Sequence, residues 1–170
     1  MAERSMKDEQ PGSPNAQALQ DTGASPWLIR VFAPEDRKAL VALWTACGLT
    51  RPWNNPERDI DRKRANSPQW LFIAEVPRSA TRWTLIGSVM VGYEGHRGWV
   101  NYLAVHPRWQ GRGLGRALME RAEHLLRDQA CPKLNLLIRS DNAAVQAFYE
   151  RLGYRVDQAI PMGKRLIADD

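Results

Sequence analysis

The sequence predicts one α/β (α+β) domain: a mixed, mostly antiparallel central sheet flanked by about four helices. Three observations carry this. Three apolar, β-rich runs, "WLFIAEV", "TLIGSVMVGY" and "WVNYLAV", follow one another with only short turn-forming segments between them, as strands of a meander do. Helix-patterned stretches stand before and after that block. In the third run both alternating sets, Trp99/Asn101/Leu103/Val105 and Val100/Tyr102/Ala104, are mostly apolar, which places it mid-sheet and covered on both faces.

Residues 1–26 mix Pro, Gly, Ser, Gln and acidic side chains with few large apolar ones, so burial cannot offset their ordering entropy. They are expected to be a disordered N-terminal extension, with the domain spanning residues 27–170. "WLIRVF" opens the domain as a strand. "APEDRKALVALWTACG" has Pro34 at a first helical position, Glu35 and Asp36 in the first turn, Leu40, Leu43, Trp44 and Cys47 at helical spacing, and Gly48 as a stop. A short charged helix follows, capped by Asn55, led by Pro56 and ended by Pro68. After the three strands, Leu114, Leu118, Ala122 and Leu125 mark a third helix. "KLNLLIR" reads as a strand, "DNAAVQAFYERLGY" as a fourth helix ending at Gly153, and "YRVD" and "MGKRLI" as two closing strands.

Composition bounds the function. With 44% hydrophobic and 25% charged residues, 170 residues suffice for one domain with a real core. No apolar run is long enough to span a membrane and the N-terminus lacks the build of a secretory signal, so a cytoplasmic protein with no membrane partner is expected. Cys47 and Cys131 are too few and too distant for a disulfide framework or a zinc knuckle, and His96, His106 and His124 have no ligand-spaced partners, so no metal is expected. The net charge is +5, of which the first 26 residues contribute −2, leaving +7 for the domain. That surplus draws an anionic partner without naming it.

The segment "HPRWQGRGLG" narrows the choice. Gly111, Gly113 and Gly115 free backbone N–H groups to turn outward where a strand feeds a helix, and Arg108, Arg112 and Arg116 surround them, which makes an anion cradle at a helix N-terminus. A P-loop is excluded because Ala117 and Leu118 stand where its Lys and Ser/Thr belong. The dinucleotide pattern fails because Arg116 replaces its third glycine and the preceding strands read as antiparallel. Nucleic acid is not expected either, since no recognised module is present and the aromatics do not interleave with the basic loop.

What remains, Gln110-Gly111-Arg112-Gly113-Leu114-Gly115, matches Q/R-x-x-G-x-G/A and resembles the coenzyme A loop of the GNAT superfamily of N-acetyltransferases. "NYLAVHPRWQGRGLGRALM" is similar to that superfamily's central strand, loop and helix start, and "RSDNAAVQAFYERLGYRV" to its later strand and helix. "LTRPWNNPERDIDRK", "GYEGHRG", "CPKLNL" and "GKRL" resemble its YpeA-type bacterial branch.

The resemblance implies the GNAT acyl-CoA N-acyltransferase fold, acetyl-CoA (coenzyme A) as co-substrate, and transfer of acetyl to a primary amine by direct attack in a ternary complex. It places the pyrophosphate on the amides of Arg112, Gly113, Leu114, Gly115 and Arg116, with Gln110 and Gly111 completing the turn, and lays the pantetheine along Leu103, Ala104 and Val105. Tyr149 matches the general acid, and Asn142 a position that hydrogen-bonds pantetheine or caps a helix. The base is open: Leu137 occupies the place where one branch carries a glutamate, leaving Glu94, with His96 behind it, as the candidate from the "YEGHRG" turn. The acceptor is a small molecule or a peptide amine, and the family's habit of pairing through its last strands raises a homodimer. The alternative is a non-catalytic acyl-CoA-binding or sensory module that keeps the cradle and lacks a base.

Overall fold

A computed structural model describes residues 25–169, so the expected disordered extension lies almost wholly outside the described residues. Five strands, β1 (Leu28–Val31), β2 (Leu71–Ser79), β3 (Arg82–Tyr93), β4 (Gly98–Val105) and β5 (Leu134–Asn135), form one sheet in sequence order. All neighbours are antiparallel except β4 and β5, which run parallel. Four α-helices cover it: α1 (Arg37–Ala46), α2 (Pro56–Asn66), α3 (Leu114–Asp128) and α4 (Ala143–Arg151).

Local sequence sets the helix ends. The Asn55 side chain accepts from Glu57 N (3.0 Å) and Arg58 N (3.4 Å), Pro56 needs no donor at the first position, and Lys63 and Arg64 face the C-terminal dipole. The Asn142 Oδ1 caps α4 by accepting from Val145 N at 3.2 Å. Before α1, Pro34–Asp36 forms one turn of 3₁₀ helix, and Asp36 Oδ2 accepts from Ala33 N at 2.8 Å.

Two apolar layers sandwich the sheet. On one face α1 and α2 bury Leu40, Leu43, Trp44 and Ile60 against Phe32, Leu71, Ile73 and Ala104. On the other, Leu114, Leu118, Met119, Ala122 and Leu126 of α3, with Tyr149 of α4, pack on Phe72, Ala74, Ile86, Val91 and Val100. Each such fully buried large side chain contributes about 1.5–3 kcal/mol. β4 therefore has side chains in both layers, as its doubly apolar pattern predicts. In α3 the buried residue of the last turns is Leu126, and Leu125 is only half-buried.

Three expectations are corrected. The hairpin between β2 and β3 pairs as far as Ser79 and Arg82, so most of "PRSATRW" is ladder and only Ala80–Thr81 turn. The "KLNLLIR" strand shrinks to Leu134–Asn135, because the chain leaves β4 from Leu136 onward. The closing strands "YRVD" and "MGKRLI" do not form among the described residues. Alternating apolar residues become a strand only where a neighbour offers a free ladder, and a two-residue β5 offers almost none. Val156, Ile160, Met162, Leu166 and Ile167 consequently stay 67–95% exposed. The segment is held by polar contacts instead: Lys133 Nζ to Asp157 (2.5 Å), Arg165 Nη1 to Trp53 O (2.8 Å) and Arg62 to Asp169.

Candidate active site

The site is organised by an irregularity in β4. The β3–β4 register shifts between Ser88 and Met90, and Tyr102 takes φ +51°, a bulge in which Asn101 and Tyr102 both face the α1/α2 side. A buried relay holds it. Trp44 Nε1 donates to Ser88 Oγ (2.9 Å), Ser88 Oγ donates to Tyr102 O (2.9 Å), and the Trp44 and Tyr102 rings stack at 3.9 Å.

Beside β4 a cleft opens. β5 pairs with β4 only at Gly98 and Trp99, and the chain beyond Asn135 diverges. His106 N–H donates to Ile86 O on β3 (2.8 Å), so the N–H of its neighbour Val105 points the other way, toward the edge that β5 has left. A cavity of about 580 Å³ lies along β5 and α4, lined by Trp99, Leu136, Ile138 and Tyr149 among others.

Tyr149 is 7% exposed, with its ring edge-on to Phe148 (5.0 Å) and Tyr154 (5.5 Å). Burial pushes its hydroxyl up to about 12, so it keeps its proton at neutral pH. The Tyr154 hydroxyl donates to Glu123 Oε1 at 2.9 Å, and burial and then that carboxylate hold it above the ordinary tyrosine range.

At the C-terminal end of β4 the glycine loop meets α3. Gly111 (φ +73°) and Gly113 (φ +88°) take the left-handed conformation, and Gly113 is the N-cap of α3 with no side chain capping its amides. An ordinary cap would fill the place where an anion can sit. Gln110 Nε2 donates to Val105 O (3.1 Å), tying the loop to the strand, and the Arg112 guanidinium lies 4.9 Å over the Trp109 ring. Arg108, Arg112 and Arg116 are exposed around the loop. Gly115 has a packing role beside the reading above. It lies inside α3, and a Cβ there would meet Phe148 at 3.2–3.3 Å, so its bareness lets α3 approach the residue next to Tyr149.

Leu103, Ala104 and Val105 lie on the stretch of β4 that β5 does not pair, and the loop from Gln110 to Arg116 follows its C-terminal end, but neither they nor Asn142 line the 580 Å³ cavity. Asn142 sits exposed as the cap of α4. Glu94 and His96 lie exposed in the β3–β4 turn, at the opposite end of β4 from the loop, roughly 25 Å away at the rise of a strand. Glu94 Oε1 accepts from Arg97 N at 2.8 Å, and neither residue lines a described cavity. Leu137 is exposed.

A second cavity, about 700 Å³, opens on the α1/α2 face, bordered by Trp53, Asn101 and Tyr102. Sequence reasoning missed its polar corner. Asp59 Oδ2 accepts from the Tyr102 hydroxyl and from Asn54 Nδ2, both at 2.6 Å, across the separation between α2 and β4. Burial, then the Asp59 carboxylate, holds the Tyr102 hydroxyl well above the ordinary tyrosine range. Nothing in the spacing of Asn54, Asp59 and Tyr102 announces this contact, although the Asn55-Pro56 cap fixes where Asp59 falls on its helix.

The model of the acetyltransferase (GNAT) family matches residues 36–154, from the start of α1 through both walls of the cleft. The chain belongs to the GNAT acetyltransferase family. An acetyltransferase of Yersinia pestis (strain Pestoides F) is 48% identical to this GNAT chain over 141 residues, 83% of the chain and 96% of that protein. Among solved structures, Ard1 from Thermoplasma volcanium is similar with a TM-score of 0.64 at 19% identity, covering 78% of this chain and 85% of its own. The NatC complex bound to Gag peptide and CoA gives 0.63 at 18%, covering 75% and 84%. At those identities the structures speak for the fold, which is the GNAT fold expected above. As a GNAT member the chain is an acyltransferase. No helix among the described residues is long and apolar enough to cross a membrane.

Proposed function

We propose that this GNAT chain moves an acetyl group from acetyl-CoA to a primary amine by direct attack in a ternary complex. The observation that carries the reading is the uncapped α3 N-terminus behind two left-handed glycines, set at the end of a cleft that β5 vacates. A diphosphate fits that cradle: Arg112 to Arg116 supply N–H groups, and Arg108, Arg112 and Arg116 supply charge. Leu103, Ala104 and Val105 offer a strand edge to a peptide-like arm, and Asn142, at the N-cap of the helix that carries Tyr149, is a further polar group.

Acetyl-CoA, when bound, supplies the acetyl group as a thioester already activated toward nitrogen. The chain's own work is then twofold. The outward Val105 N–H is placed to polarise a carbonyl oxygen, an interaction of the kind that costs about 3–4 kcal/mol when removed. Tyr149 holds a proton at its hydroxyl to give to the sulfur as the carbon–sulfur bond breaks. The proton of the attacking amine leaves to water, because Glu94, expected above as the base, lies roughly 23 Å along β4 from Val105 and accepts from Arg97 N instead. Neither cysteine is a covalent carrier in this scheme: burial raises the Cys47 thiol above its usual range, and it is bonded to Val105 O at 3.4 Å.

A homodimer belongs to the same reading, because Val156, Ile160, Met162 and Leu166 are exposed apolar side chains that a second copy would bury. Calorimetry with acetyl-CoA, followed by an acetyl-CoA consumption screen over amino acids, polyamines, aminoglycosides and peptides, tests the function. Binding with turnover that falls at least 10-fold in Tyr149→Phe supports it. No binding refutes it. Tight binding with no product from any amine, and an inert Tyr149→Phe, selects the non-catalytic acyl-CoA-binding module instead.

A further inference from the structure

The function just proposed leaves the amine unspecified, and the cavity on the α1/α2 face narrows its chemistry. Its charged lining is Arg51, Arg62 and Lys63 against Asp59 alone. That carboxylate is already engaged: Oδ1 accepts from Arg62 Nη1 (2.9 Å), and Oδ2 from Asn54 and Tyr102. Arg62 is shared further with Asp169, at 3.0 and 2.5 Å.

The other two cations have no counter-charge among the described residues. Arg51 gives Nη1 to two carbonyls, Gly48 O (2.7 Å) and Thr50 O (2.8 Å), and its remaining nitrogens take no partner there. Lys63 is only 8% exposed, and its Nζ donates to Ser67 Oγ (2.6 Å) and to Val91 O. Burying an ammonium without an anion is costly, and burial alone brings Lys63 down to about 8. A cavity that holds one neutralised carboxylate and two uncompensated cations is built for a ligand that brings negative charge.

We propose that the acceptor is a primary amine bearing an anionic group, carboxylate or phosphate, whose anion is taken by Arg51 and Lys63 while its amine extends along β4 past Asn101 and Tyr102 toward Val105. This rests on the acetyl-transfer reading for the amine, but the anion preference is a property of the cavity alone. The Tyr102 hydroxyl, already donating to Asp59 and accepting from Asn54 at 2.9 Å, retains one lone pair toward an ammonium. The bulge that turns Asn101 and Tyr102 to the same face is what gives the amine end its border.

The test uses matched amines that differ by the anion: lysine against 1,5-diaminopentane, tyrosine against tyramine, and O-phosphoethanolamine against ethanolamine. Each is titrated calorimetrically into the whole chain at pH 8, with and without saturating coenzyme A. The anionic member of at least one pair is expected to bind 10-fold or more tightly than its partner, and the pair that responds distinguishes carboxylate from phosphate. Arg51→Gln, on a loop, should erase most of that preference. Binding should also take up about half a proton in wild type, read from two buffers of different ionisation enthalpy, because an anion raises a Lys63 that is about half neutral at this pH. The other charged or titratable groups facing the cavity are Arg51, Arg62, Asp59, Tyr93 and Tyr102, the last held above its ordinary range; Lys63 is the one that burial brings near this pH, so Lys63→Met should abolish the uptake. Equal or tighter binding of the neutral-tailed members, a preference that survives both substitutions, or no binding by any pair overturns the proposal. A separate acetyl-CoA titration reports on the transfer reading, so the two fail independently.

Discussion

Replacing Ser88 by alanine perturbs the device that shapes the site. Ser88 is fully buried, accepts from Trp44 Nε1 and donates to Tyr102 O, each at 2.9 Å. Alanine leaves an indole N–H and the bulge carbonyl without these partners inside the core. An orphaned buried group costs about 1–3 kcal/mol. Ser88→Ala should therefore destabilise the domain by about 2–6 kcal/mol, a large share of the ~5–15 kcal/mol that holds a typical domain together. In urea, with m of about 2 kcal/mol/M, the midpoint falls by roughly 1–3 M at unchanged m. Trp44→Phe removes the donor while leaving Ser88 free to serve Tyr102 O, so the double mutant should be less destabilised than the sum of the singles by about 1–2 kcal/mol. A loss below about 0.5 kcal/mol for Ser88→Ala, or strictly additive effects in the cycle, would refute the relay.

Gly113→Ala meets nothing within 4 Å, so its only cost is the left-handed backbone at φ +88°, about 1–2 kcal/mol. Unfolding and acetyl-CoA titration should show that loss together with weaker coenzyme binding, whereas Gly113→Asn, which tolerates this conformation, is milder; equal stability of all three proteins would contradict the geometry. Lys63 has a folded-state value of about 8, below the ordinary ~10.4, so between these limits the unfolded chain binds more protons and stability rises with pH. The tyrosines held above their usual range act only above pH 10, where they reverse the slope. Denaturant titrations from pH 7.5 to 10 should show a rise in wild type that is lost in Lys63→Met, whose profile instead falls above about 8.5 because the buried Cys47 thiol keeps a proton that the unfolded chain releases. Glu94→Gln should leave turnover and its pH–rate profile unchanged, since Glu94 lies at the far end of β4 from Val105, and a fall in turnover with coenzyme binding unchanged would return Glu94 to the proton path.

The sequence by itself determined the features that depend on local chemistry. Asn55-Pro56 and Asn142 cap their helices, Gly111 and Gly113 form a left-handed loop, and the doubly apolar run became the sheet's covered strand, because each follows from neighbours within a turn or a strand period. Tertiary structure decided what depends on distant partners. Whether the segment after α4 becomes a strand rests on an edge that β5 does not offer, so its alternation misleads. Gly115 looks like loop glycine until Phe148 is seen against it. The bulge at Tyr102 is held by Trp44 and Ser88, remote in the chain but joined in one core, and there Asn54 and Asp59 of the α2 region meet β4. Periodicity reports which face a residue turns inward; it carries no information on which side chain waits there, since that is fixed by packing.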